Sequence, residues 1–256
     1  MAKIDIEIIS CLNDNYSYLV YEEETETVTI IDPSDFEPCD KIIKNKYKRL
    51  DYILNTHHHY DHVGGNEKLK KKYNSTILGF EGDKNRIPFI DKFLINDQNF
   101  KIGNLNFLTI FIPGHTKGHI AFYLEKEKVI FTGDTLFSLG CGRIFEGTNK
   151  QMFNSINKLK RLPKETKIYC GHEYTKKNLE FCIKYDPNNE YLKEKKDWVD
   201  SKILSKSPTV PISIEEELRT NIFLRCNEQS VKNTLNLDNS TELEIFVKLR
   251  DLKDSF

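Results

Sequence analysis

Four histidines and an aspartate crowd six consecutive positions of this chain, His57-His58-His59-Tyr60-Asp61-His62. They follow the apolar run Tyr52-Ile53-Leu54 and precede Val63-Gly64-Gly65-Asn66. Packing does not explain such a loop, because a buried polar group left unpartnered costs roughly 1–3 kcal/mol. Imidazole and carboxylate are donors that zinc, iron and manganese accept. In an extended segment residues i and i+2 face the same side, so His57 and His59 can reach one ion. Asp61 and His62 come after the chain turns and can address a second position. A catalytic zinc takes three protein ligands and keeps one position for water. The loop thus supplies two donors to each of two ions and requires a fold that brings more donors to it from elsewhere.

Three apolar runs end in glycine beside a donor. Pro113-Gly114-His115-Thr116 closes the run 108–112, Thr132-Gly133-Asp134-Thr135 closes 129–131, and Cys170-Gly171-His172-Glu173 closes 167–169. Strand ends along one sheet edge are where residues distant in sequence converge. A lone histidine there is usually structural, but the loop's unmet ligand needs change that balance. We assign His57, His59 and His115 to one ion and Asp61, His62 and His172 to another, with Asp134 bridging them. Two ions about 3.5–4 Å apart would share a hydroxide, so the expected chemistry is metal-assisted hydrolysis. Asp61 and Asp134 act catalytically as ligands that position this hydroxide. His58 points away from the His57/His59 pair and is read as packing or support. His119 and Asp32 are read as residues that orient ligands.

The surrounding pattern is strand-rich up to about residue 173. Strands are expected at 4–9, 16–21, 27–32, 52–55, 105–112, 119–124, 128–132 and 167–170, with helices at 42–47, 67–73 and 150–160. Beyond that point the segments 175–185, 189–205, 214–220, 228–234 and 241–255 read as helices, with Ser213 or Ser240 as a cap for the helix that follows it. The six cysteines are scattered without CxxC spacing, which favours free thiols. A formal net charge of −1 offers no general attraction for nucleic acid or for an acidic membrane. The N-terminus alternates apolar and acidic residues like a strand and lacks a secretion-signal core, so a cytoplasmic location is expected.

The ligand order His57-x-His59-x-Asp61-His62, His115, Asp134, His172 resembles the metallo-β-lactamase superfamily. Within it, four stretches are similar to glyoxalase II, the hydroxyacylglutathione hydrolases: Asp14-Asn15-Tyr16, Thr56 to Asn66, Gly133 to Phe137 continuing to Gly140-Cys141-Gly142-Arg143, and Tyr169 to Thr175. The resemblance implies an α+β protein, a metallo-β-lactamase-like αββα sandwich over residues 1–173 followed by a small all-helical glutathione-binding domain over 174–256. It implies a thioesterase that hydrolyses S-D-lactoylglutathione to D-lactate and glutathione, the second step of methylglyoxal detoxification. The implied cofactor is two divalent metal ions, zinc first, with iron or manganese also suited to the donors. Carried over by position, Arg143, Tyr174, Arg250 and Lys253 would contact glutathione and Phe145 would line the same groove. Arg250 and Lys253 are three apart on an expected helix and so share a face. The chain departs from the family pattern at Tyr60, Lys117 and Phe145, where Trp, Pro and Tyr are frequent. The partner implied is a small glutathione thioester, with no nucleic acid and no membrane; a monomer is expected, and a dimer is compatible. The alternative reading is a persulfide dioxygenase or another hydrolase of the same fold. The complete set of seven ligands argues against the dioxygenase.

Overall fold

The alternation of Ile4, Ile6 and Ile8 with Asp5 and Glu7 produces the first strand of a computed structural model that describes residues 3–256. Contacts divide the chain into two compact units. One comprises the chain up to Phe111 together with Lys117–Gly133, and the other comprises Ile112–Thr116 together with Asp134–Phe256.

In the first unit, β1 (Ile4–Cys11) pairs antiparallel with β2 (Asn15–Glu22), and β2 with β3 (Thr27–Ile31). The chain then runs through α1 (Phe36–Ile42), prolonged by a π turn Ile43–Tyr47, into β4 (Tyr52–Leu54). After α2 (Tyr60–Val63) and α3 (Asn66–Tyr73) come β5 (Thr76–Phe80) and β6 (Lys92–Leu94). β3 to β6 pair in parallel, which is why helical crossovers separate β3, β4 and β5. Cys39, Ile43 and Leu69 from the helical segments pack with Leu19, Val28, Ile30, Ile53 and Ile77 from the strands. A second layer is the antiparallel run β7 (Asn99–Ile102), β8 (Leu105–Phe111), β9 (Ile120–Leu124) and β10 (Val129–Gly133). The layers meet where Tyr18 packs on Phe131 at 5.5 Å and Phe80 stacks on Phe111 at 4.8 Å. With helices on one face and strands on the other, all but one residue of β2 is buried.

The helix expected at 42–47 instead begins at Phe36. Pro38 falls in its first turn, where no backbone N–H is needed, so the proline does not delay the start.

The second unit contains the short ribbon β11 (Leu136–Phe137) and β12 (Gly140–Cys141), then α4 (Asn149–Lys160) and β13 (Lys167–Cys170). It continues with α5 (Thr175–Tyr185), α6 (Glu190–Leu204), β14 (Ile212–Ser213) antiparallel to β13, α7 (Ile214–Thr220), α8 (Gln229–Thr234) and α9 (Glu242–Asp254). Capping boxes start α4 (Thr148/Gln151), α7 (Ser213/Glu216) and α9 (Thr241/Glu244). Ser213 caps as expected. Ser240 does not, because only Thr241 has a glutamate three residues on. All six cysteines are buried free thiols.

Candidate metal centre

The first unit holds the histidine loop. Asp32, at the end of β3, accepts hydrogen bonds from Thr56 N at 2.7 Å and Thr56 Oγ1 at 2.6 Å. The same carboxylate lies 3.0 Å from His62 Nδ1. If His62 donates from Nδ1, Nε2 becomes its ligating nitrogen. Asp32, His57 and His62 offer ligand atoms within 4.8 Å of one another. Asp32 is already engaged by Thr56 and His62, an arrangement suited to orienting the His62 ring. His57 Nδ1 sits 3.0 Å from Thr56 Oγ1, and the His57 ring lies 4.7 Å from that of His59 and 4.2 Å from that of His62. The buried His119 stacks on His57 at 4.6 Å, so its support is ring against ring. Gly133, at φ 47°, permits this packing, since a Cβ there would collide with Thr56 Oγ1 and the His119 ring.

His58 is directed to Asp83, Nδ1 to Oδ2 at 3.0 Å, and Arg86 also pairs with Asp83. Burial opposes ionisation of Asp83, but His58 and Arg86 outweigh it and hold the carboxyl below its usual range. Three amides were not singled out from the sequence as supports. Asn15 Nδ2 donates to Asp61 O at 3.0 Å and to Asp61 Oδ2 at 2.9 Å. Asn55 Nδ2 donates to His62 O at 3.1 Å, and Asn66 Nδ2 donates to Asn55 Oδ1 at 2.8 Å.

The second unit holds the remaining three donors, all nearly buried. One oxygen of Asp134, Oδ2, lies 3.4 Å from His115 Nε2 and 3.2 Å from His172 Nε2. A carboxylate between two imidazole nitrogens suits a bridging ligand, and divalent cations would offset the charge of the buried anion. His115 Nδ1 is 2.8 Å from the Arg143 carbonyl, an acceptor, so it donates there and Nε2 carries the lone pair that could meet an ion. The His115 carbonyl accepts from Phe145 N at 3.2 Å and Glu146 N at 3.3 Å, and Ser155 Oγ donates to Pro113 O at 2.7 Å. Gly142 lets the chain pass so close to Asp134 that a Cβ there would collide with the Asp134 carbonyl oxygen.

Exposed aromatic surface adjoins these candidate donors. Tyr174 stacks on His172 at 4.7 Å, and Phe145, 63 % exposed, meets the His115 ring edge-on at 5.2 Å. The exposed Arg143 approaches Asp254, Nε to Oδ1 at 3.8 Å. Arg250 and Lys253 do share one side of α9, but that side faces inward together with Ile245, Phe246 and Leu249. Arg250 is 3 % exposed; Nη1 donates to Cys141 O at 2.8 Å and Nη2 to Asp254 Oδ1 at 2.9 Å. Lys253 Nζ donates to Lys177 O at 3.1 Å and lies 5.0 Å from the ring centres of Phe181 and Phe256. Desolvation lowers the Lys253 ammonium to about 8.

A family model described as the metallo-beta-lactamase superfamily matches residues 13–172, and one described as the hydroxyacylglutathione hydrolase C-terminus matches residues 173–256. The hydroxyacylglutathione hydrolase of Pelagibacter ubique (strain HTCC1062) is 53% identical over 254 residues, 99% of this chain and 100% of that protein. That of Methylococcus capsulatus is 41% identical over 253 residues, 99% of each chain. In fold, the crystal structure of ETHE1 from Myxococcus xanthus is similar with a TM-score of 0.69 at 22% identity, over 96% of this chain and 90% of that one. The chain belongs to the hydroxyacylglutathione hydrolase family of the metallo-β-lactamase superfamily.

Proposed function

We propose that this chain is a thiolester hydrolase that cleaves S-D-lactoylglutathione to D-lactate and glutathione in the cytoplasm, the second step of methylglyoxal detoxification. The observation that carries this reading is the full-length 53% identity to a hydroxyacylglutathione hydrolase, in a chain that has all seven expected metal donors. The full-length relatives give no support to the persulfide dioxygenase alternative.

His57, His59 and His115 would hold one divalent ion, and Asp61, His62 and His172 a second, with Asp134 shared. Zinc fits these donors best, and iron or manganese would also be accepted. When bound, two such ions make hydroxide available at neutral pH and draw charge from the carbonyl under attack. The residues around the donors fix their geometry. Asp32 holds the His62 ring, Asn15 holds both the main chain and the carboxylate of Asp61, and the Arg143 carbonyl holds the His115 ring.

Glutathione carries two carboxylates, and Arg143 and Lys253 are cations suited to face them. Tyr174 and Phe145 offer flat apolar surface beside two of the donors. Arg250 serves the same subsite from beneath, through Cys141 and Asp254. The departing thiolate is weakly basic, so no residue has to protonate it in advance. A monomer suffices for this scheme.

The test is hydrolysis of S-D-lactoylglutathione by the purified protein, with metal content measured on the same sample. Thioester loss with two metal equivalents per chain is expected. Fully metallated protein that leaves the thioester intact would overturn the proposal.

A further inference from the structure

The ribbon β11–β12 joins Asp134 to Arg143, and its turn is gripped through the main chain by helices of the same unit. Four successive carbonyls each accept from a different side chain. Asn178 Nδ2 donates to Ser138 O at 2.9 Å, Cys182 Sγ to Leu139 O at 3.3 Å, Asn221 Nδ2 to Gly140 O at 3.0 Å, and Arg250 Nη1 to Cys141 O at 2.8 Å. Glu217, on α7, faces the one N–H in this group: Leu139 N donates to its Oε2 at 2.9 Å. Asn221 Nδ2 also donates to Glu217 Oε2, at 2.7 Å. The carboxylate therefore aligns the turn and one of the side chains that grip it.

Leu139 has φ 61°, a left-handed conformation unfavourable for a residue with a Cβ. It persists because its N–H and C=O are both held from outside. Glu217 and Asn221 are fully buried, and an apolar residue would fill the place of a buried carboxylate at lower cost. Desolvation pushes the Glu217 carboxyl up to about 7. The two ends of the ribbon are tied by Gly142 N donating to Thr135 O at 3.2 Å. One end continues to Asp134, and the other to the Arg143 carbonyl that orients His115.

We propose that Glu217 is a positioning residue for the metal-ligand set, acting through the 136–141 ribbon on Asp134 and on the His115 ring. The inference rests on the hydrolase reading for its effect on turnover, but not for its effect on ion binding. Leu139 N also donates to Glu217 Oε1 at 3.2 Å, so Glu217→Gln, which nearly preserves volume, turns one of these two acceptors into a donor facing that N–H. In the full-length protein it should bind zinc about tenfold more weakly in competition with a chelator. It should lower kcat by more than it raises KM for the thioester, because Glu217 itself contacts neither Arg143 nor Lys253. Glu217→Leu should act in the same direction and more strongly; if it does not fold, Glu217→Gln alone decides. Unchanged zinc affinity in folded Glu217→Gln would overturn the proposal. Weakened zinc binding in a protein that does not cleave lactoylglutathione would support the clamp and refute the substrate reading, so the two failures are distinguishable.

Discussion

The proposed role of Lys253 predicts a pH dependence of substrate binding. Its ammonium is desolvated on the inner side of α9, and Arg250, Lys177, Glu180 and Cys182 lie around it. Desolvation, aided by the Arg250 and Lys177 charges, brings its pKa down to about 8. Below that pH the charged form dominates, and above it the group that would face a glutathione carboxylate is lost. If the neutral form binds about tenfold more weakly than the ammonium form, KM scales with the reciprocal of the two populations weighted by that ratio. With a pKa of about 8, the charged fraction falls from roughly nine-tenths at pH 7 to roughly one-tenth at pH 9, so KM should rise about fivefold. Lys253→Met removes the titration. Its KM should be about tenfold above wild type at pH 7, a charge-assisted hydrogen bond discounted for partial solvent exposure, and the two curves should come within about twofold of each other near pH 9. The assay is initial-rate hydrolysis of S-D-lactoylglutathione across pH 6.5 to 9.5, roughly a decade and a half either side of the shifted value. A flat wild-type KM, or a Lys253→Met variant that rises in parallel with wild type, would refute the reasoning. A parallel rise would place the titration on the substrate or elsewhere in the protein.

Asp32→Asn replaces an acceptor for three donors, Thr56 N, Thr56 Oγ1 and His62 Nδ1, with a group that also donates. Zinc affinity should fall roughly 10–100-fold by chelator competition; an unchanged affinity would mean that His62 needs no help from Asp32. Thr241→Ala removes the capping box of α9, the helix that carries Arg250 and Lys253, and should cost about 1 kcal/mol. Thermal melting should show a fall of about 2–4 °C, and no shift would mean that the helix start is held by packing alone.

The candidate metal donors stood out in the sequence because their chemistry is rare in such density. Four imidazoles in one loop leave few readings, and the glycines beside His115, Asp134 and His172 marked the other strand ends. Their supports were harder to read. Asn15, Asn55 and Asn66 are turn residues by type, and no spacing distinguishes an asparagine that clasps a ligand loop from one that terminates a strand. Arg250 entered the sequence reading only by resemblance, as a glutathione contact, and nothing local marked it as buried. Its burial depends on the Cys141 carbonyl, a partner 109 positions away in sequence that no local pattern reveals. Glu217 was hidden for a similar reason. It sits among acidic residues in the first turn of α7, where charge suits the helix dipole and asks for no further explanation.

The segment Ile112–Thr116 belongs by its contacts to the second unit, yet it is translated between two strands of the first. This interleaving bears on biosynthesis. A nascent chain that has emerged only through Gly133 carries every residue of the first unit and, of the second unit's donors, His115 alone. Pro113 and His115 must wait for Ser155, Phe145 and Glu146 to be made before their main-chain partners exist. Long-range closures of this kind come late in folding. The order of synthesis therefore places completion of the proposed donor set among the last events in the maturation of this protein.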